Sequence, residues 1–332
     1  MNFSAAIILK YFHLSFSFFY FVLLVGVFLS DGQIAVADEV NTKCAPGDYG
    51  PDDRIGALNL STDQSRRHAA TLVRHGKVYA LSIETGPDTP TFGRSYEIDV
   101  EHFTDFIGAS NKPTFHDDFI MANPGIGTQL DGLGHFGRNG LYYNGLTSAE
   151  LIDPRTGYGL AELGTDKVPP IVARGVLIDM TEYFGMDILP AGTVFNSADI
   201  QAAAAAQRVK LRCGDVVLFR TGWLDQLATP GNEDAFINSE PGIGVEGAQF
   251  LAELGVIAVG SDNWGLEVLP FEMATELFPV HQVLLQQNGV YILENIRTDE
   301  LAADGVQEFM FVLGVPKLAG SVQAVITPVA IR

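Results

Sequence analysis

Cysteine and positive charge are what this 332-residue chain has least of. It holds two cysteines, Cys44 and Cys213, and no CxxC pair. That excludes a cysteine zinc site, a thioredoxin-type centre and a disulfide-dense scaffold. In an oxidising compartment the two cysteines could pair, with two free thiols as the alternative. Lys and Arg number 20 against 40 Asp and Glu, a formal net charge of -20, and no basic run occurs. Phosphate backbones are held by clustered Lys and Arg, so no nucleic-acid partner is expected. Internal repeats, low-complexity tracts and a convincing linker are also missing, which favours one domain.

What is present is a globular composition. Apolar residues make up 47% and aromatic residues 10%, enough for a sizeable core. Residues 1–37 stand apart. Lys10 precedes an apolar run from Tyr11 to Leu29, and Ala35-Val36-Ala37 follows. This is the pattern of a secretory signal peptide. The body, residues 38–332, is expected to be exported, to a periplasm or outside the cell. The apolar run is also long enough for an uncleaved anchor, the one case in which a membrane is a partner.

Along the body, Ser61–His75 reads as a helix, stopped by Gly76. Val78–Glu84 reads as a strand, and residues 85–115 as a long surface excursion without clear period. Asp118–Met121 reads as a short strand leading into the glycine-rich stretch that begins at Gly125. Gly175–Met180, Asp215–Thr221, Val256–Gly260 and Val290–Ile296 read as buried strands. Two late strands are expected over roughly 308–315 and 322–330. Between them fall an Ala-rich helix, Ala198–Val209, capped by Ser197, a helix Val245–Leu254 closed by Gly255, and a short helix His281–Gln287. Strands alternating with helices in the second half make this a mixed α/β domain.

The chemistry gathers in Gly125–Phe136, which reads GIGTQLDGLGHF. Gln129 and Asp131 share a face of an extended chain. His135 follows four residues after Asp131, and glycines between them let the backbone approach a ligand. Of the seven histidines, His135 and His281 have the most suggestive neighbours. Glu294 ends an apolar run, where a carboxylate needs a cation or a donor network. Histidine with carboxylates is a common divalent-metal set. Asp262 follows a buried strand and Arg220 ends another, where α/β folds place ligands. Trp223 and Trp264 are candidates for a pocket wall.

These residues resemble the cyclase-like metal-dependent hydrolases, the group that includes bacterial kynurenine formamidase and isatin hydrolase. The hallmark there is His-x-Gly-Thr-His-x-Asp-x-Pro-x-His; here it reads Gly125-x-Gly127-Thr128-Gln129-x-Asp131-x-Leu133-x-His135. The resemblance continues through Gly214–Trp223, Val259–Asp262, Pro279–His281 and Glu294–Asn295, and covers most of residues 50–330. It implies the family's compact α/β fold with a mixed sheet and peripheral helices, a homo-oligomer (dimer or tetramer), and hydrolysis of a small-molecule substrate. Asp131, His281 and Glu294 would be metal ligands and His135 the catalytic histidine. Gly125, Gln129 and Leu133 depart from the pattern. Glycine offers no side-chain ligand, and Gln129 offers only a carbonyl oxygen. The expectation is therefore one divalent ion held by Gln129, Asp131, His281 and Glu294. Manganese is favoured by the oxygen-rich set, with zinc or magnesium as alternatives. Phe136, Tyr142, Tyr143, Trp223 and Trp264 would line an aromatic pocket for a cyclic or aryl amide, lactam or ester. Two other readings stay open: a non-catalytic exported ligand-binding protein, and a cyclase or dehydratase.

Overall fold

In the computed structural model, residues 49–332 are described. They belong to one unit, Asn41–Arg332. The leader, the expected boundary near residue 37 and Cys44 lie outside the described residues. Cys213 is in a disulfide.

Four parallel strands carry the centre: Ile171–Asp179, Val216–Arg220, Ala258–Ser261 and Tyr291–Glu294. Each reads as a nearly unbroken apolar run and is buried almost throughout, as strands covered on both faces must be. Antiparallel strands extend this core on both sides into a nine-stranded sheet. Next to Ile171–Asp179 come Glu308–Leu313, Val329–Ile331 and Val78–Ala80. Next to Tyr291–Glu294 come Gln129–Asp131 and Gln323–Val325. The last expected strand, 322–330, is thus two strands on opposite sides of the sheet, Gln323–Val325 at one edge and Val329–Ile331 next to the other. Gly175 lacks a side chain where Phe309 crosses it; a Cβ there would meet the phenyl ring at 2.1 Å.

Helices end where local chemistry dictates. Val245–Leu254 closes on Gly255, whose φ of 85° lets its N–H reach back to Leu251 and Ala252. Ser197–Ala206 is capped by Asn196, in a reciprocal box with Asp199, and not by Ser197 as expected. These two helices pack on each other, and Asp63–Ala70 lies on Ile171–Asp179 and Glu308–Leu313. Among the described residues no helix is long and apolar enough to cross a membrane.

The segment expected to be irregular holds the largest departure. Tyr96–Thr104 and Thr114–Ala122 form a two-stranded antiparallel ribbon, Tyr96 opposite Ala122 and Thr104 opposite Thr114. Tyr96, Ile98 and Val100 alternate with Glu97, Asp99 and Glu101, a period-two signal. The ribbon's apolar side chains stay open: Ile98, Val100, Phe119, Ile120 and Met121 are all exposed.

Candidate metal centre

Register brings the site together. Gln129–Asp131 pairs with Tyr291–Glu294 so that Glu294 faces Gln129 and Ile292 faces Asp131. On its other side Gln323 faces Asp131. Alternate residues share a face, so Gln129, Asp131, Glu294 and Gln323 form one polar patch on an apolar sheet. His281 reaches this patch from the turn Pro279–His281, which Pro279 starts at its first position. Its Nε2 lies 3.5 Å from Asp131 Oδ2 and 3.4 Å from Glu294 Oε1. All three residues are buried. Among the described residues they form the group able to hold a metal ion, their ligand atoms within 4.8 Å of one another.

The remaining atoms of each ligand are tied back. His281 Nδ1 meets Glu267 Oε1 at 2.6 Å, and Glu267 also accepts the backbone N–H groups of Val280 and His281, each at 3.1 Å. A carboxylate on Nδ1 fixes the ring and leaves Nε2 as the metal-facing nitrogen. Asp131 Oδ1 accepts from Gln323 Nε2 at 2.7 Å and Gln129 Nε2 at 3.2 Å. Glu294 Oε2 accepts from Gln129 Nε2. Asp131 Oδ2, fully buried, has no hydrogen-bond partner. Such an orphaned charged oxygen is costly unless a cation meets it. Asp131 Oδ2, Glu294 Oε1 and His281 Nε2 therefore fit one divalent ion.

Protonation follows the same geometry. Burial favours a neutral Asp131, yet the neighbouring imidazoles of His135 and His281, 3.6 and 3.5 Å from Oδ2, and the hydrogen bond from Gln323 hold its carboxyl well below the usual range. Burial, with the charge of Asp131, pushes Glu294 up to about 7. Burial opposes charge on His281, but the three carboxylates of Asp131, Glu267 and Glu294 around it raise it well above an ordinary histidine. Burial lowers His135 below an ordinary histidine, against the pull of Asp131, and so favours its neutral imidazole.

His135 stands at the rim, half-buried, its Nε2 3.6 Å from Asp131 Oδ2. It borders a cavity of about 170 Å³ whose floor is the triad. Phe92, Phe136, Trp264 and Phe278 wall it, and Arg94 enters from the side. Phe136 and Trp264 are thus where the sequence reading puts them. Trp223, Tyr142 and Tyr143 do not line it. Trp223 is buried, stacks on Phe236 and donates to its carbonyl at 3.1 Å. Tyr143 donates to Asp53 at 2.7 Å, and Tyr142 packs on the core edge. Gln129 is central but turned: its nitrogen faces the carboxylates, and its oxygen accepts from Arg94 at 3.2 Å. Arg94, Gln323, Glu267, Phe92 and Phe278 escape the sequence reading. A larger cavity of about 530 Å³, bordered by Arg220, Asp262 and Arg297, contains none of the triad.

Residues 79–268 match the family "Cyclase", described as "Putative cyclase". A solved structure described as a novel cyclase is 31% identical, with a TM-score of 0.76, over 86% of this chain and 96% of that one. The chain belongs to the cyclase family. No curated protein matches it. Isatin hydrolase A from Ralstonia solanacearum is similar at 20% identity and a TM-score of 0.56, covering 77% of this chain and 92% of that one. Isatin hydrolase A from Labrenzia aggregata, bound to benzyl benzoate, is similar at 18% identity and a TM-score of 0.55, covering 79% and 94%. At these identities the likeness is one of fold. Strand pairing supplies the register that brings Asp131 and Glu294 together, which spacing alone does not, and His281 joins them from the turn Pro279–His281.

Proposed function

We propose that this cyclase-family chain is a metal-dependent hydrolase of an amide, lactam or ester bond in a small cyclic or aromatic molecule. The observation that carries the reading is the orphaned Asp131 Oδ2, facing Glu294 Oε1 and His281 Nε2 in a cavity closed by aromatic rings. A divalent ion held by Asp131, His281 and Glu294 would supply Lewis acidity and a water of lowered pKa. The oxygen-rich pair of carboxylates with one imidazole favours manganese, with zinc or magnesium as alternatives.

The chain's own groups do the rest. His135, neutral and at the rim, takes a proton from the attacking water and returns it to the leaving nitrogen or oxygen. Phe136 and Trp264, with Phe92 and Phe278, exclude water and stack a flat ring. Isatin hydrolase, with which the chain shares its fold, carries a name that fits such a substrate. The test is a panel of cyclic imides, lactams and arylformamides, assayed with and without added manganese and zinc, with product masses read. Metal-dependent gain of one water is expected. Binding without turnover points instead to a ligand-capturing protein, and loss of water to a dehydratase.

Export and self-association belong to the same proposal. The signal-like leader and the disulfide at Cys213 support an oxidising compartment. The open apolar side chains of the ribbon support a homo-oligomer. Light scattering that gives a monomer at micromolar concentration would remove the second part.

A further inference from the structure

Arg94 precedes the ribbon strand Tyr96–Thr104 and reaches into the metal cavity. Its guanidinium meets three neutral oxygens: the carbonyl of Gly125, Gln129 Oε1 at 3.2 Å and Gln323 Oε1 at 3.5 Å. On the far side of both amides stand the carboxylates, Asp131 for both and Glu294 for Gln129. A guanidinium only donates and an ionised carboxylate only accepts. An amide between the two has a single way round: oxygen to the arginine, N–H to the carboxylate. Both amides then occupy Asp131 Oδ1, and Gln129 occupies Glu294 Oε2 as well. The other oxygens, Asp131 Oδ2 and Glu294 Oε1, are left facing His281 Nε2.

We propose that Arg94 is a positioning residue. Through Gln129 and Gln323 it selects which oxygen of Asp131 and of Glu294 faces the ion, and it keeps the Gln129 oxygen off the ion. The inference rests on the metal-centre reading above. Gly125 is part of the device. A Cβ there would lie 2.4 Å from Gln323 Oε1 and 2.6 Å from Arg94 Nη1, so the guanidinium has its place because residue 125 has no side chain. A histidine at 125, as the family pattern has it, and Arg94 in this position exclude one another.

The test needs no substrate. Manganese and cobalt are titrated calorimetrically into the purified metal-free protein, and the visible spectrum of the cobalt form is recorded. Wild type should bind one ion. Arg94→Met should weaken binding by about ten- to a hundredfold, the range for partners that orient metal ligands. The cobalt spectrum should change with it, because a freed amide oxygen alters the ligand set. Arg94→Lys keeps the charge but not the planar fork, and should recover part of both readouts. Gln323→Leu should also weaken binding, and the double variant should lose less than the sum of the two, since both act along one path. Should Arg94→Met fail to fold, the Lys and Leu variants carry the test. A folded Arg94→Met with unchanged or tighter binding and an unchanged cobalt spectrum overturns the inference, as does an unaffected Gln323→Leu. Wild type that binds no divalent ion defeats the functional reading itself; wild-type binding beside an indifferent Arg94→Met defeats this inference alone.

Discussion

Two clusters of charge lie buried in this fold, and they are finished differently. At one, Arg174 holds Asp215 through two bonds of 3.0 and 2.7 Å and also meets Glu308 and the Lys210 carbonyl. Burial pushes the Asp215 carboxyl up to about 7 against the pull of Arg174, but every oxygen has a donor and the cation is built in. At the other, Asp131 and Glu294 face each other across His281, and one carboxylate oxygen accepts no hydrogen bond. The first cluster is complete as folded. The second becomes complete only with a proton or a metal ion. A buried charge that the chain leaves uncompensated marks function more sharply than burial or charge alone.

Breaking each cluster should therefore give opposite results. His281→Ala removes the imidazole ligand, and metal affinity should fall by more than about a hundredfold, beyond the loss for a partner that only orients a ligand. Arg174→Met leaves Asp215 unpaired and should cost about 3–5 kcal/mol of stability with one ion still bound. Metal titration and urea unfolding of both variants check this. If Arg174→Met loses the ion, or His281→Ala keeps it, the contrast fails. His135→Ala should lower turnover by about a hundredfold or more while the ion stays bound, since a base contributes roughly that much.

The pH dependence isolates the open cluster. In the metal-free protein Glu294 and His281 are both raised above their ordinary values. The folded state then holds protons that the unfolded chain has released. The stability from Glu294 is fully present below its ordinary value and is lost as pH rises through about 7. That from His281 is lost at higher pH still. A metal ion must displace these protons, so its stabilisation grows with pH. The gap in melting temperature between manganese-loaded and metal-free protein should widen from pH 5.5 to pH 8, conditions set around roughly neutral histidine and carboxylate titration. Asp215 titrates equally in both forms and cancels. A gap that stays constant would mean that these protons and the ion do not compete.

Much of this was legible in the residues themselves. Asp131, His135, His281 and Glu294 follow a spaced pattern, and the buried strands and the Gly255 stop follow from local propensity. The rest depends on contacts that spacing does not carry. Gln323 reaches Asp131 only through strand register, from 192 positions away. Arg94 comes from a stretch with no period to read, and Glu267 is one of many acids until His281 is placed against it. Gln129 shows the limit best. Its residue type permits a ligand oxygen, but the arginine that turns the amide lies 35 positions earlier.

Another buried acid, outside both clusters, tests what an orphaned oxygen means, with the smallest expected effect. Glu240 is fully buried, and its Oε1, like Asp131 Oδ2, has no partner. Its Oε2 accepts the N–H groups of Trp264 at 3.0 Å and Gly265 at 3.3 Å. Burial, with the charge of Glu294 nearby, raises it well above an ordinary glutamate. Burial thus works against charge on Glu240, whereas the imidazoles around Asp131 favour its carboxylate. Glu240→Gln keeps the shape of the group and removes its capacity for charge. It should change stability by less than about 1 kcal/mol and leave one ion bound. Asp131→Asn, the same exchange on an ionised group, should abolish binding. A large loss of metal in Glu240→Gln would make Glu240 part of the open cluster and extend the ligand set beyond Asp131, His281 and Glu294.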